Sequence, residues 1–331
     1  MSVKTNTKQS GKLSLPLRIM LKPETGLIIP LLILCVVTTI IKPNFLTWTY
    51  IASILVACVF IGCAAIGESL VIMVGEIDLS VGFVGTFSGI MMGQAAQNWG
   101  LGPVLSILIC LSTGALVGFV NGVVSSKLGL ISWITTLATQ FICNGLAVTI
   151  SNGLPLSIAS LGLQPFVRAN PLGLKYTFFL FLALIIIMDI VVRKSGFGYK
   201  LRAVGGNKEA ALMAGINVSR IKIIAFTLAG LFAAIGGLFD VMASAMANSS
   251  AGAGREFRAI TCCAIGGISM MGGEGSVFGV GFGVLLFHTL WYCLRILNTD
   301  ANLQLVLIGI VLIISVILDM QRKRIESRKM I

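Results

Sequence analysis

Long apolar stretches separated by short polar breaks run through most of the chain. A transmembrane helix needs about 20 predominantly apolar residues to cross the hydrocarbon core of a bilayer. The stretches that meet or approach this length are 25–41, 50–74, 80–97, 101–125, 130–150, 174–192, 221–246, 259–272, 276–294 and 302–319. The pattern predicts an all-α, polytopic membrane helix bundle of about ten transmembrane helices. Residues 25–320 would form a single membrane domain between the polar tails 1–24 and 321–331.

Three of the breaks have a distinctive composition. Segment 151–175 contains Pro155, Pro165 and Pro171, which disfavour a continuous helix. Segments 74–82 and 271–276 place acids, serine and glycines between apolar runs. Both are followed by a helix with regularly spaced glycines. This similarity suggests related halves, since transporter folds often contain internal repeats.

Composition excludes a soluble globular domain. Hydrophobic residues make up 56% of the 331 residues and charged residues only 11%, whereas soluble domains carry about 25% charged residues. No single core could remove so much apolar surface from water, so a bilayer must cover part of it.

The basic residues are clustered. The net charge is +12, and seventeen of the 24 Lys and Arg residues lie in the two tails and in the segment 193–222. Because Lys and Arg concentrate in cytoplasmic loops of membrane proteins, we expect both termini and 193–222 to face the cytoplasm, which requires an even number of crossings. The basic charge thus indicates topology and contact with the lipid bilayer, and nucleic acid is not an expected partner.

Residues that could carry chemistry are sparse. All eight cysteines lie in apolar stretches, and the single histidine, His288, offers no metal-ligand spacing with them. The cysteines are therefore interpreted as packing residues. Segment 205–208 is followed by Glu209 and lacks the Lys-Ser/Thr ending of a nucleotide phosphate loop. We expect no catalytic residues, no metal and no cofactor.

Three apolar stretches each carry three glycines at intervals of four residues. This spacing places the glycines on one helix face, where a neighbouring backbone can approach closely. The predicted helix-packing residues are Gly85, Gly89 and Gly93, then Gly114, Gly118 and Gly122, and finally Gly275, Gly279 and Gly283.

Several polar residues lie within or beside the apolar stretches, where charges usually face a cavity or a partner. The candidate pathway residues are Glu76, Asp78, Ser80, Asp240 and Glu274. Asp240 lies deepest in an apolar stretch, and it fits either a pathway contact or a structural hydrogen-bonding group. A chain of intramembrane carboxylates could also serve an ion-coupled secondary transporter of a small polar solute. The acids are scattered, however, and one histidine cannot form an Asp/His proton relay.

The segment 203–218 predicts a short helix. Asn207 suits an N-cap, Glu209 lies in the favourable first turn, and Gly215 suits a left-handed end. A helix of two turns is not stable alone in water, so this helix needs a partner surface.

The same segment resembles a known family. Glu209-Ala210-Ala211 followed by Gly215 resembles the EAA-type coupling loop of ABC importer permeases. The wider string 203–218, together with 75–82 and 266–279, resembles ribose-type sugar permeases, which also include xylose, galactose and autoinducer-2 importers. The resemblance spans nearly the whole chain.

The sequence departs from that family at three positions. Glu76 replaces a glycine that the family commonly has. Arg258 and Glu274 reverse the signs of charge that the family often shows at those places. The resemblance therefore does not carry over the identity of a sugar.

The resemblance implies the permease subunit of an ATP-driven importer for a small sugar or sugar-like solute in the bacterial cytoplasmic (inner) membrane. Such a subunit is not an enzyme. The implied partners are cytoplasmic ABC ATPase subunits, a second permease subunit (the same chain or a close paralogue) and an extracytoplasmic solute-binding protein. Neither a secondary carrier nor a structural membrane protein would need such a docking helix. The residues that would couple the chain to the ATPase are Asn207, Glu209, Ala210, Ala211 and Gly215.

Overall fold

The computed structural model describes residues 27–168 and 173–328. The helices in these ranges are α1 (Ile28–Ile41), α2 (Trp48–Met73), α3 (Val81–Gln97), α4 (Pro103–Lys127), α5 (Ser132–Ser151), α6 (Gln164–Arg168), α7 (Tyr176–Lys194), α8 (Gly196–Gly206), α9 (Lys208–Met213), α10 (Val218–Ser244), α11 (Arg255–Ile265), α12 (Val277–Ile296) and α13 (Ala301–Arg328). Two 3₁₀ turns, Pro43–Leu46 and Ala159–Leu161, and two short strands, β1 (Leu156–Ser157) and β2 (Met246–Ala247), complete the described elements. The predicted tail 1–24 lies outside the described residues.

The protein is an all-α, multi-pass helix bundle. Six of the described helices, α2, α4, α5, α7, α10 and α12, are long and apolar enough to cross a membrane. Two shorter apolar segments, Ile28–Ile41 and Asn302–Ile317, correspond to the first and last predicted spans. Helix α3 has 17 residues and is buried along most of its length.

Helix α10 lies at the centre and packs against α2, α3 and α4. The most apolar windows of α2 and α10 are each 61% buried inside the protein, whereas that of α4 is only 22% buried. The exposed apolar side chains of the outer helices suit contact with lipid. The bundle therefore has a protein-packed interior and a lipid-compatible outer surface.

The connecting segments gather at two opposite ends of the bundle. Segments 74–80, 128–131, 195–217 and 266–276 lie together at one end, which we call the α9 end. At the other end, the β end, β1 pairs antiparallel with β2, with Leu156 opposite Ala247. The Ser157 backbone N–H donates to Gln97 Oε1 at 2.6 Å, which fastens β1 to the end of α3.

The predicted continuous span 259–272 is not found as a full-length helix. Helix α11 has 11 residues, which corresponds to about 16 Å at 1.5 Å per residue, roughly half of the hydrocarbon thickness. Glycines explain the short helix, because Gly254, Gly267 and Gly272 all adopt positive φ.

The whole segment 245–273 nevertheless runs from the β end to the α9 end. It begins beside β2, passes Gly82 of α3 at Gly252, and reaches the α9 end at Gly273. Gly252 in this segment is buried against α3, whereas Asn248, Ser250 and Ala253 are exposed.

Candidate functional site

Helix α9 begins with the N-cap that the sequence predicts. The Asn207 side-chain oxygen accepts a hydrogen bond from the backbone N–H of Ala210 at 2.9 Å. Glu209 lies in the first turn, where a carboxylate interacts favourably with the positive end of the helix dipole. The preceding helix α8 ends at Gly206, so Asn207 is the single residue between α8 and α9 along the chain.

The other end of α9 is a Schellman motif. Gly215 has a φ of 76°, which suits glycine because it has no Cβ. The Ile216 N–H donates to the Ala211 carbonyl and the Gly215 N–H donates to the Leu212 carbonyl, both at 3.0 Å. Ala211 is buried against the bundle, so both ends and the inner face of α9 are fixed.

The C-terminal tip of α9 is apolar and exposed, whereas its first turn exposes the charged residues Lys208 and Glu209. The side chain of Met213 is 92% exposed and that of Leu212 is 53% exposed. These side chains lie at the tip of the short helix, next to its glycine end. Two exposed apolar residues on a two-turn helix form a surface suited to burial by another protein.

A glycine junction (Gly75, Gly205, Gly272 and Gly273) lies at the end of α8, next to α9. A methyl group on Gly205 would overlap the Met73 carbonyl oxygen and lie 2.6 Å from the Gly273 nitrogen. The Gly273 N–H donates to that same carbonyl at 2.9 Å. The end of α8 therefore touches both polar breaks, 74–80 and 266–276. In the sequence, the adjacent glycines Gly205 and Gly206 were the sign of a close backbone contact. The residues that they contact are distant in sequence, so the contact itself could not be predicted.

Asp78 and Ser80 belong to a buried polar network. Asp78 accepts hydrogen bonds from the Ser80 backbone N–H at 2.8 Å and from its hydroxyl at 2.5 Å. Asn121 donates to the Ser80 hydroxyl at 3.0 Å and accepts from Thr139 at 2.6 Å. Glu68 accepts from the Asp78 N–H at 3.2 Å. The network fixes segment 74–80 against α2, α4 and α5.

The other two candidates at the α9 end have different surroundings. Lys222 of α10 forms an ion pair with Glu76, so Glu76 also fixes segment 74–80 to the start of α10. Glu274 is exposed on segment 266–276. Its backbone carbonyl accepts from the Ser269 N–H at 3.1 Å.

Asp240 lies in the other half of the bundle and is paired with an arginine. Arg255 donates to Asp240 Oδ2 from both terminal nitrogens, at 3.0 and 3.1 Å. The guanidinium carbon of Arg255 lies 3.7 Å from the ring centroid of Phe60, in the middle of α2. The structure therefore brings Glu76, Asp78 and Ser80 into one region but separates them from Asp240. Sequence analysis missed Arg255, which lies in a glycine-rich segment.

The glycine sets lie in close helix contacts. A methyl group on Gly118 would overlap the Phe226 carbonyl oxygen, and one on Gly85 would lie 2.6 Å from the Ala233 carbonyl oxygen. Their neighbour α10 contributes Gly230 against Gly114 and Gly237 against Gly85. Gly230 and Gly237 were not predicted as packing residues, because they are seven residues apart and the predicted sets have a spacing of four residues.

The remaining members of the glycine sets have comparable surroundings. Gly89, Gly93 and Gly122 face Val241, Leu156 and Ile223, respectively, at less than 3 Å from an added methyl group. In the third set, Gly283 faces the Cys262 carbonyl and the Gly279 carbonyl faces Gly266. The prediction that Gly275 shares their helix face is wrong, because α12 begins at Val277. Gly275 lies in the preceding segment with a φ of 143°, where it faces Ile268. Among the described residues, no three His, Cys, Asp or Glu side chains are grouped so that they could hold a metal ion.

Comparison with known proteins gives a consistent result. Residues 50–316 match the family model described as branched-chain amino acid transport system / permease component. The ribose import permease RbsC of Bacillus subtilis is 34% identical over 90% of this chain and 93% of its own length. The L-arabinose permease AraH of Azospirillum brasilense is 32% identical over 91% and 88%, respectively. The fructose import permease FrcC of Rhizobium meliloti is 30% identical over 91% and 86%.

A solved structure is also similar. The inward-facing conformation of a putative metal-chelate type ABC transporter aligns with 93% of this chain and 98% of its own, with a TM-score of 0.46 and 14% identity. The family match covers most of the helix bundle and includes α9. The chain belongs to the branched-chain amino acid transport system / permease component family and is the membrane permease subunit of an ABC importer.

Proposed function

We propose that this permease imports a small sugar and that α9 couples it to cytoplasmic ATPase subunits. The sugar class rests on relatives whose names specify ribose, L-arabinose and fructose import. Because three different sugars occur at similar identity, the proposal is limited to pentoses and hexoses. A solute-binding protein would deliver the sugar at the β end.

The observation that carries this proposal is the exposed tip of α9. Its backbone is capped at both ends, so the helix is formed before any partner binds. Met213 is 92% exposed, and burying an apolar side chain of this size contributes about 1.5–3 kcal/mol. Docking of this tip into a groove on the ATPase would let a movement of the ATPase pull directly on α8 and α10.

The Asp240–Arg255 pair supports a pathway between two permease subunits. The side chain of Asp240 is 37% exposed and that of Arg255 is 18% exposed. Charges are costly when they face hydrocarbon, so this surface requires water or a second subunit. A second copy of this chain, or a close paralogue, would enclose the pathway there. Glu76, Asp78 and Ser80 would line or position its cytoplasmic part, and exposed Glu274 would lie at its mouth.

The proposed topology has ten crossings, with both termini at the cytoplasmic face of the bacterial inner membrane. The non-helical parts of 245–273 would complete the crossing that α11 begins, which would retain the even number of crossings. The α9 end would then be cytoplasmic, in agreement with the basic segment 193–222.

The docking surface is tested by changing the apolar tip without changing the bundle. In the importer purified with its ATPase, Met213→Asp places a charge in the proposed contact and should abolish both co-purification of the ATPase and sugar uptake. Met213→Leu is the matched control, since it keeps the apolar contact. Gly215→Val should also disrupt coupling, because a β-branched residue tolerates positive φ poorly. If Met213→Asp retains the ATPase and normal uptake, the α9 docking surface is wrong.

A further inference from the structure

The first turns of α3 and α11 contact each other inside the bundle. A methyl group on Gly82, the second residue of α3, would lie 2.7 Å from Glu256 Oε2 and 2.7 Å from the Gly252 carbonyl oxygen. It would also lie 3.3 Å from Arg255 Cβ. Glu256 is the second residue of α11. The Glu256 carboxylate therefore fills the space that a side chain at position 82 would occupy, and we call this packing the α3–α11 contact.

The Glu256 carboxylate is enclosed and has few partners. Glu256 is only 2% exposed. Gln140 Nε2 of α5 donates to Glu256 Oε1 at 3.2 Å, whereas Oε2 has no hydrogen-bond partner among the described residues. Within the described ranges, Glu256 also forms no ion pair. Burying a charge with so little compensation is costly, so another feature of the protein must stabilise it.

Two helix N-termini provide that stabilisation. The N–H groups of a first turn have no intrahelical partners, and the helix dipole adds positive potential there. No side chain caps either helix. The cap residue of α11 is Gly254, and the hydroxyl of Ser80, the cap residue of α3, donates to Asp78. The Glu256 carboxylate thus lies in the first turn of its own helix and against the first turn of α3.

The neighbouring residue Arg255 links this contact to Asp240. Arg255 Cβ lies against Gly82, and the guanidinium donates to Asp240 and lies over the Phe60 ring. Arg255 and Glu256 are adjacent in the first turn of α11. A shift of this turn away from α3 would therefore move the guanidinium relative to Asp240.

We propose that Glu256 is a positioning residue for transport. Its charge holds the first turns of α3 and α11 together and thereby fixes Arg255 beside Asp240. The effect on uptake rests on the proposed pathway role of the Asp240–Arg255 pair, whereas the effect on the α3–α11 contact does not. The property required of residue 256 is its charge rather than its size.

Charge and size are separated by Glu256→Gln and Glu256→Asp. Gln has the size of Glu without its charge, whereas Asp keeps the charge and leaves a gap. We expect sugar uptake by the complete importer to fall about tenfold in Glu256→Gln, as for loss of a partly buried charge–dipole interaction. Uptake should fall less in Glu256→Asp. A role in packing alone would give the opposite order.

Asp300→Asn is the matched control. The Asp300 carboxylate accepts from the Asn302 N–H at 2.8 Å at the exposed start of α13. Asn caps a helix about as well as Asp, so this variant also removes a carboxylate from a helix N-terminus, but outside the α3–α11 contact. Its uptake should equal that of the wild type.

Hydrogen exchange of the purified permease reports the α3–α11 contact independently of transport. Segments 78–86 and 248–257 should exchange faster in Glu256→Gln than in the wild type, and Glu256→Asp should lie between them. Equal exchange in Glu256→Gln and the wild type overturns the proposal. Uptake that is lower in Glu256→Asp than in Glu256→Gln overturns it as well.

A double-mutant cycle tests whether Glu256 acts through Arg255. The losses of uptake in Glu256→Gln and Asp240→Asn should not be additive, because both disturb the same pair. Additive losses overturn the positioning role. If Asp240→Asn alone shows normal uptake, the pathway role of the pair fails, and the order of hydrogen exchange still decides whether the charge of Glu256 holds the α3–α11 contact.

Discussion

Gly118 lies at a close contact between α4 and α10, and Gly118→Ala tests that contact with a single methyl group. The added carbon would overlap the Phe226 carbonyl oxygen and lie 3.0 Å from the Phe226 carbonyl carbon and 3.1 Å from Gly230 Cα. All three neighbours are backbone atoms, which cannot move aside as a flexible side chain can. Overpacking of this kind costs about 1–3 kcal/mol, and the rigid neighbours favour the upper part of that range.

Replacing glycine by alanine within a helix also brings a gain of about 0.5–1 kcal/mol. The net expected loss for Gly118→Ala is therefore about 2 kcal/mol in the free energy of unfolding. Gly145→Ala in α5 is the matched control, because an added methyl group there meets nothing within 4 Å. That variant should equal or exceed the wild type in stability, so the two variants should differ by about 3 kcal/mol.

The assay is reversible unfolding in mixed micelles by titration with a denaturing detergent, with helix content followed by circular dichroism. The slopes of the transitions should agree among the wild type and the two variants, so that the midpoints report stability. If Gly118→Ala is as stable as Gly145→Ala, the close packing of α4 on α10 is refuted.

Three further predictions concern coupling, the pathway and topology. Gly205→Ala should displace the Gly273 N–H from the Met73 carbonyl. Loss of this contact, at about 1.4 kcal/mol, should reduce uptake at least tenfold, while the ATPase still co-purifies. Uptake at the wild-type rate would contradict a role for this glycine junction in transport. Asp240→Asn keeps a hydrogen-bond acceptor for Arg255 but removes its counter-charge, and should lower uptake without lowering membrane expression. Normal transport would assign Asp240 a structural role. Single cysteines replacing Lys8, Lys208 and Lys329 in a cysteine-free background should resist an impermeant thiol reagent in intact cells, and outside labelling of any one would contradict the topology.

Local sequence signals predicted the local elements well. Long apolar runs indicated the membrane helices, because burial in lipid requires about 20 apolar residues. Asn207 and Gly215 predicted both ends of α9, because helix caps depend on neighbouring residues alone. The regularly spaced glycines of α3 and α4 identified the faces of those two helices that contact α10.

Features that depend on distant residues could not be predicted. Asp240 was recognised as a charge within an apolar stretch, but its partner Arg255 begins α11, after an irregular segment whose position depends on the surrounding helices. Asn121 and Thr139 join the Ser80 network only after α4 and α5 pack on α3. The run 259–272 is apolar enough to predict a span, but apolar composition does not show where its flanking glycines end the helix, and α11 has only 11 residues.

The central claim is that ATP hydrolysis by a separate subunit drives sugar import through this chain. The most direct measurement is uptake of labelled ribose, L-arabinose and fructose into proteoliposomes that contain the permease, its ATPase and its solute-binding protein. We expect accumulation of at least one sugar only when all components and ATP are present, with no effect of an uncoupler. Accumulation of solute by the purified permease alone under a proton or sodium gradient would contradict it.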